Sequence, residues 1–150
     1  MKICIGGTFN YLHKGHKSLL RKAFESAGKD GKVFIGISTG NLVKNKKNTK
    51  AFETRKKKLE EYLIDNGYNN KAIIVPINSK FGLTLDEDFD AIVVSPETER
   101  IASQINKERV LRDKKQLKII TVPFVLAEDG KPISSSRIIN KKIDKNGKQL

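Results

Sequence analysis

Eleven residues near the start of the chain, GGTFNYLHKGH from Gly6 to His16, hold two adjacent glycines, a hydroxyl, an aromatic ring and both of the chain's histidines. They follow a short apolar run, KICIG, and precede a stretch with helical spacing, so they span the exit of a first strand and the entry of a first helix. Open α/β sheets receive ligands at that place. Gly6 and Gly7 have no side chain to obstruct a polyanion and can take backbone angles that other residues avoid. Thr8 adds a hydroxyl donor at the same rim. Gly15 separates Lys14 from His16 at the helix start, where unpaired amides and the helix dipole favour negative charge. His13 and His16 are three apart, which sets both imidazoles on one side of the first turn. The combination reads as a phosphate cradle. It is not a Walker loop, because Gly-x-x-x-x-Gly-Lys-Ser/Thr is missing, nor a dinucleotide fingerprint, because Gly-x-Gly-x-x-Gly is missing too. With no third ligand such as Cys or Asp close by, the two histidines do not make a metal centre.

The elements that must position these groups alternate. Short runs rich in Ile and Val, at 2–6, 32–38, 71–77, 90–95 and 117–127, read as five strands. Amphipathic stretches between them read as helices: HKSLLRKAFESAG with Leu19, Leu20, Ala23, Phe24 and Ala27 on one face, ETRKKKLEEYLIDNG with Leu59, Tyr62 and Leu63, and a third from about 97 to 113. NSKFGLTLDEDF has no clear period and reads as a connection. SSSRIINKKI at 134–143 begins with hydroxyls suited to capping a short helix, and the last residues, DKNGKQL, read as frayed. The pattern predicts an α/β fold: a single Rossmann-like doubly wound domain over residues 1–150 with a five-stranded parallel sheet.

Thirty Lys and Arg against 17 Asp and Glu give a formal charge of +13, which suits an anionic partner. Nucleic acid is the less favoured candidate, since the lysines are spread along the chain as on a solvated surface. One cysteine, Cys4, forms no internal disulfide and lies in an apolar run, and no run approaches the roughly 20 residues needed to span a bilayer. A cytoplasmic chain with no membrane segment is expected.

GGTFNYLHKGH resembles the strand-to-helix signature of the nucleotidylyltransferase superfamily, Gly-Thr-Phe-Asp followed by His-x-Gly-His. ISSSRI, from Ile133 to Ile138, resembles its second motif. FGLTLDEDFDAIVVSPET, INKER and AEDGKPISSSRI look like the archaeal and eukaryotic type of phosphopantetheine adenylyltransferase. Asn10 departs from the pattern, standing where the superfamily has Asp. The bacterial branch also carries an arginine pair after the fourth strand, where this chain has SPETER; Arg100 or Arg109 could take over that anion-binding role, or the role could be absent.

The resemblance implies transfer of AMP from ATP to 4′-phosphopantetheine, giving dephospho-coenzyme A and pyrophosphate in coenzyme A biosynthesis, with Mg²⁺ held mainly through the ATP phosphates. It makes His16, Lys46 and Thr8 the catalytic candidates. Gly7, Thr8, Phe9, His13, Gly15, His16, Ser134, Ser135, Ser136 and Arg137 are expected to bind ATP, and Thr8, Asn10, Lys44 and Lys46 the acceptor. Lys47 belongs with Lys44 and Lys46 as a candidate from the basic loop, whereas Arg55 and Lys56 to Lys58 read as a solvent-facing helix start. The same two motifs would serve an adenylyltransferase for nicotinamide or flavin mononucleotide, or a cytidylyltransferase for glycerol 3-phosphate. A nucleic-acid-binding protein and a nonenzymatic nucleotide sensor are the readings from other classes.

Overall fold

In a computed structural model, residues 1–46 and 48–150 are described. Strands β1 (Lys2–Gly7), β2 (Lys32–Ser38), β3 (Ala72–Ile77), β4 (Ala91–Val94) and β5 (Lys118–Thr121) form one parallel sheet in the order β3-β2-β1-β4-β5. The order reverses at β1, so the crevice beyond the carboxyl ends of β1 and β4 is the topological switch point.

Side chains alternate between the two faces of the sheet. On one face Ile3, Ile5, Val33, Ile35 and Ile37 are buried against Leu20, Ala23 and Phe24 of α1 (Lys14–Ala27) and Leu59 and Leu63 of α2 (Phe52–Asp65). On the other, Cys4, Ile92 and Val94 pack against Ala102 and Ile105 of α3 (Glu99–Leu111). This second face is covered unevenly. The link from β3 to β4 contains turns in place of a helix, and it reaches the sheet through Phe81, Leu83 and Leu85. Gly6 and Gly36 lie side by side in the β1–β2 register beneath it.

Two expectations need correction. The fifth strand stops at Thr121 instead of running to 127, because its one neighbour, β4, ends at Val94; the last rung of the ladder is Val94 with Thr121. Beyond it the chain folds back in a small cluster of Ala127, Ile133 and Ile143, held by a bridge between Leu126 and Pro132. The tail is not frayed. The Asp144 carboxylate accepts from the backbone N–H groups of Asn146 and Lys148, Gln149 donates to Glu128, and Lys145 offers its carbonyl to the N–H of Lys14. The tail is therefore tied to the start of α1. The helix through 134–143 is a short one, α4 (Ser135–Ile139).

Candidate active site

Gly7 ends β1, Thr8 follows it, and Phe9 then turns the chain sharply with φ of 50°, a left-handed conformation that is strained for an aromatic residue. The turn buries the Phe9 ring and leaves Thr8 at the wall of a cavity of about 920 Å³. The expectation that Phe9 contacts the ligand is not met by its side chain. That ring is 3% exposed and packs under His16, centroids 5.1 Å apart.

His13 caps α1. Its Nδ1 accepts from the N–H groups of Gly15 (3.0 Å) and His16 (3.4 Å), while Nδ1 of His16 accepts from the N–H of His13 (3.2 Å). This is a capping box built from two imidazoles, and the rings stack with centroids 3.8 Å apart. A Cβ on residue 15 would lie 2.8 Å from Cε1 of His13, so glycine is what lets the ring fold over the helix start. Each Nδ1 is engaged as an acceptor, which leaves Nε2 to carry the proton in both neutral rings. Burial pushes His13 down to about 4; burial, together with repulsion from His13, pushes His16 down to about 3. Both rings are therefore held as neutral N–H donors near pH 7. The helix-start amides are also not free, since His13 takes those of Gly15 and His16 and Lys145 takes that of Lys14.

Lys46 donates to the Thr8 hydroxyl at 2.7 Å, and both line the cavity with Gly7, His13, Gly15 and His16. Lys44 is exposed and does not line it, and Lys47 lies outside the described residues. Across the opening stand Ser134, Ser135 and Ser136 at the start of α4, with the Ser134 hydroxyl accepting from the N–H of Arg137. The same cavity is also lined by Gly6 and Gly36 and by the apolar side chains of Phe34, Ile77, Phe81, Leu83 and Ile105. A Cβ on Gly6 would rest in ordinary contact with Ile77 Cδ1 at 3.6 Å, whereas one on Gly36 would press on the same atom at 3.0 Å.

A family profile described as cytidylyltransferase-like matches residues 4–141. The chain is 45% identical over 148 residues to the phosphopantetheine adenylyltransferase of Methanosarcina acetivorans, covering 98% of this chain and 94% of that one. It is 42% identical over 140 residues to that of Methanopyrus kandleri, covering 91% and 87%. Among solved structures, a protein of unknown function from Archaeoglobus fulgidus superposes with a TM-score of 0.73 at 35% identity, over 81% of this chain and 89% of that one.

The chain belongs to the phosphopantetheine adenylyltransferase family.

Within this family's signature, several residues hold places their types did not announce. Arg137 does not line the cavity; it is tied back by Asp129 and by the carbonyls of Lys131 and Pro132. Arg109 is not a substitute for the missing arginine pair. It is 1% exposed and spends its guanidinium on the carbonyls of Thr84, Glu87 and Lys115, which fixes the β3–β4 link. Arg100 is exposed and lies outside the cavity lining. Asn10 borders the cavity, yet both ends of its amide are bonded to the basic loop: Nδ2 donates to Asn48 and Oδ1 accepts from Lys50.

Arg55 faces inward, against expectation. Its guanidinium sits under Thr8 and donates to the carbonyls of Thr8, Ser38 and Lys50. Burial lowers its pKa from the ordinary value, and among the described residues no carboxylate pairs with it. Lys80, whose ammonium lies over the Phe81 ring, lines the cavity as well; nothing in its local sequence marked it.

Proposed function

We propose that this chain transfers the adenylyl group of ATP to 4′-phosphopantetheine, giving dephospho-coenzyme A and pyrophosphate. The observation that carries this reading is one cavity lined by two unlike sets of residues, a polar set with Thr8, His16 and Lys46 and an apolar set with Phe34, Ile77, Phe81, Leu83 and Ile105 beside Gly6 and Gly36. A nucleoside triphosphate suits the first, and a long, uncharged pantetheine chain suits the second. The relatives' shared name points to the same pair of substrates.

An oxygen of the acceptor phosphate attacks the α-phosphorus in line, a P–O bond forms, and pyrophosphate leaves with the electrons of the broken bond. The attacking phosphate is ionised near neutral pH, so no side chain need take a proton. The protein supplies alignment and charge stabilisation. Lys46, held on Thr8, would bridge the incoming phosphate and the α-phosphate. Nε2–H of His16 donates to the α-phosphate oxygens as charge develops there. The serines at the start of α4, which line the same cavity, would bind the β- and γ-phosphates. Among the described residues no three His, Cys, Asp or Glu side chains come together as a metal cage. Mg²⁺, held mainly through the ATP phosphates, would offset the charge of the triphosphate.

The test is pyrophosphate release from ATP with 4′-phosphopantetheine, nicotinamide mononucleotide or flavin mononucleotide offered separately. Release with 4′-phosphopantetheine alone is expected. Release only with a mononucleotide would discard the acceptor and keep the chemistry.

A further inference from the structure

Asn10 and Arg55 lie 45 residues apart in sequence and close on the same short segment from two sides. Asn10 is 8% exposed; its Nδ2 donates to the Asn48 carbonyl at 3.1 Å and its Oδ1 accepts from the Lys50 N–H at 2.8 Å. Both partners are backbone groups, so the direction of each bond is fixed: a carbonyl only accepts and an N–H only donates. A carboxylate at position 10 would keep the bond to Lys50 but bring an oxygen without a proton against the Asn48 carbonyl. Only an amide satisfies both. Asn48 itself sits at φ of 60°, a left-handed conformation that asparagine tolerates, so the chain turns tightly just before the two bonded groups.

Arg55 completes the grip. Nε donates to the Lys50 carbonyl at 2.8 Å, and Nη1 donates to the carbonyls of Thr8 at 2.9 Å and Ser38 at 2.8 Å. Lys50 is thus held through both its N–H and its carbonyl, and the guanidinium that holds it also holds Thr8. The Thr8 hydroxyl is the group that receives Lys46. A lysine-rich surface segment is costly to order, and these two buried side chains supply the order in advance.

We propose that Asn10 and Arg55 are positioning residues that fix the Lys46 segment over Thr8, and that the chain requires asparagine at position 10 because this clamp needs a donor and an acceptor together. The proposal rests on the reading above, in which Lys46 acts at the reacting phosphates. Asn10 and Arg55 act through Lys46 and not on the substrates.

The experiment uses Asn10→Asp and Arg55→Lys, each alone and combined with Lys46→Ala, with kcat and both KM values measured beside thermal melting. Each single variant is expected to lower kcat by about ten- to a hundredfold, the penalty of a buried polar group left without its partner, with smaller changes in either KM. In the Lys46→Ala background the same substitutions should change kcat by less than about threefold, because the group they place is gone. Without any turnover, trypsin should cut within residues 44–50 faster in both variants than in wild type. Full multiplicative losses in the Lys46→Ala background would overturn the proposal, as would unchanged cutting. Should Arg55→Lys fail to fold, Asn10→Asp carries the test alone. If wild type does not use 4′-phosphopantetheine, the functional reading fails, while the trypsin comparison still decides whether the clamp exists.

Discussion

Replacing His13 by alanine separates the two jobs that a histidine in this motif can do. The ring is 6% exposed, accepts from two first-turn N–H groups and stacks on His16. Losing the cap costs about 1 kcal/mol. Leaving its partners unbonded and its volume empty adds about 2 kcal/mol more. For a domain of this size each kcal/mol moves the melting temperature by about 2–4 °C, so roughly 3 kcal/mol lowers Tm by roughly 6–12 °C. His13→Asn restores a side-chain acceptor at the cap and should recover about 1 kcal/mol of that loss. His16→Ala should do the reverse. His16 receives one backbone N–H and is only half-buried, so its removal costs less stability, while kcat falls by about 10²–10³-fold as for loss of one oxyanion donor. Thermal unfolding followed by circular dichroism, with kcat measured well below the transition, reads both quantities. If His13→Ala melts within about 2 °C of wild type, or if asparagine is no better than alanine, the ring is not the cap of α1 and the reasoning fails.

The basic loop gives a sharper contrast: Lys46→Ala should lower kcat by about a hundredfold and Lys44→Ala should leave it near wild type, in the same pyrophosphate assay. Gly36→Leu would fill the floor beside Ile77, where even a Cβ comes within 3.0 Å, and is expected to raise the acceptor KM while leaving the ATP KM unchanged. Both histidines have folded-state pKa values below the 6.5 of the unfolded chain, so below pH 6.5 the unfolded state binds protons that the folded state refuses. Stability therefore falls as pH drops from 6.5 toward 4, by about 2 kcal/mol per ring at pH 5, and denaturant melts of His13→Asn should show a shallower fall. Stability that holds level between pH 6.5 and 5 in wild type would contradict buried, neutral rings.

Strand and helix identities were legible because a parallel sheet buried on both faces leaves runs such as AIVV, and an amphipathic helix such as α1 leaves its apolar face in the spacing of Leu20, Phe24 and Ala27. Where elements stop was less legible. The β-branched run after Lys118 continues past Thr121, but a strand lasts only as long as the neighbour it bonds, and β4 is four residues long. In the site, GGTFNYLHKGH announced Thr8 and His16, and the structure sets Lys46 against Thr8. Arg137 has a type that suits phosphate but is occupied locally by Asp129, whereas His13 lines the cavity and spends only Nδ1 on the amides it caps. Arg55 was hidden because nothing in TRKKKLEEY distinguishes the one cation that turns inward from those that face water. Its partners, Thr8 and Ser38, are 47 and 17 residues away.

The turn-only link between β3 and β4 carries a consequence for how long the protein lasts. Beside that link part of the sheet face borders the cavity and not a helix, so whatever fills the cavity supplies part of the protein's interior. Occupancy then adds directly to folding stability, about 2.7 kcal/mol when ligand stands at a hundredfold its Kd. A cell short of the acceptor would hold this enzyme in its less durable form, more open to proteolysis along residues 78–90. Supply of the substrate would thereby set the half-life of the catalyst that consumes it.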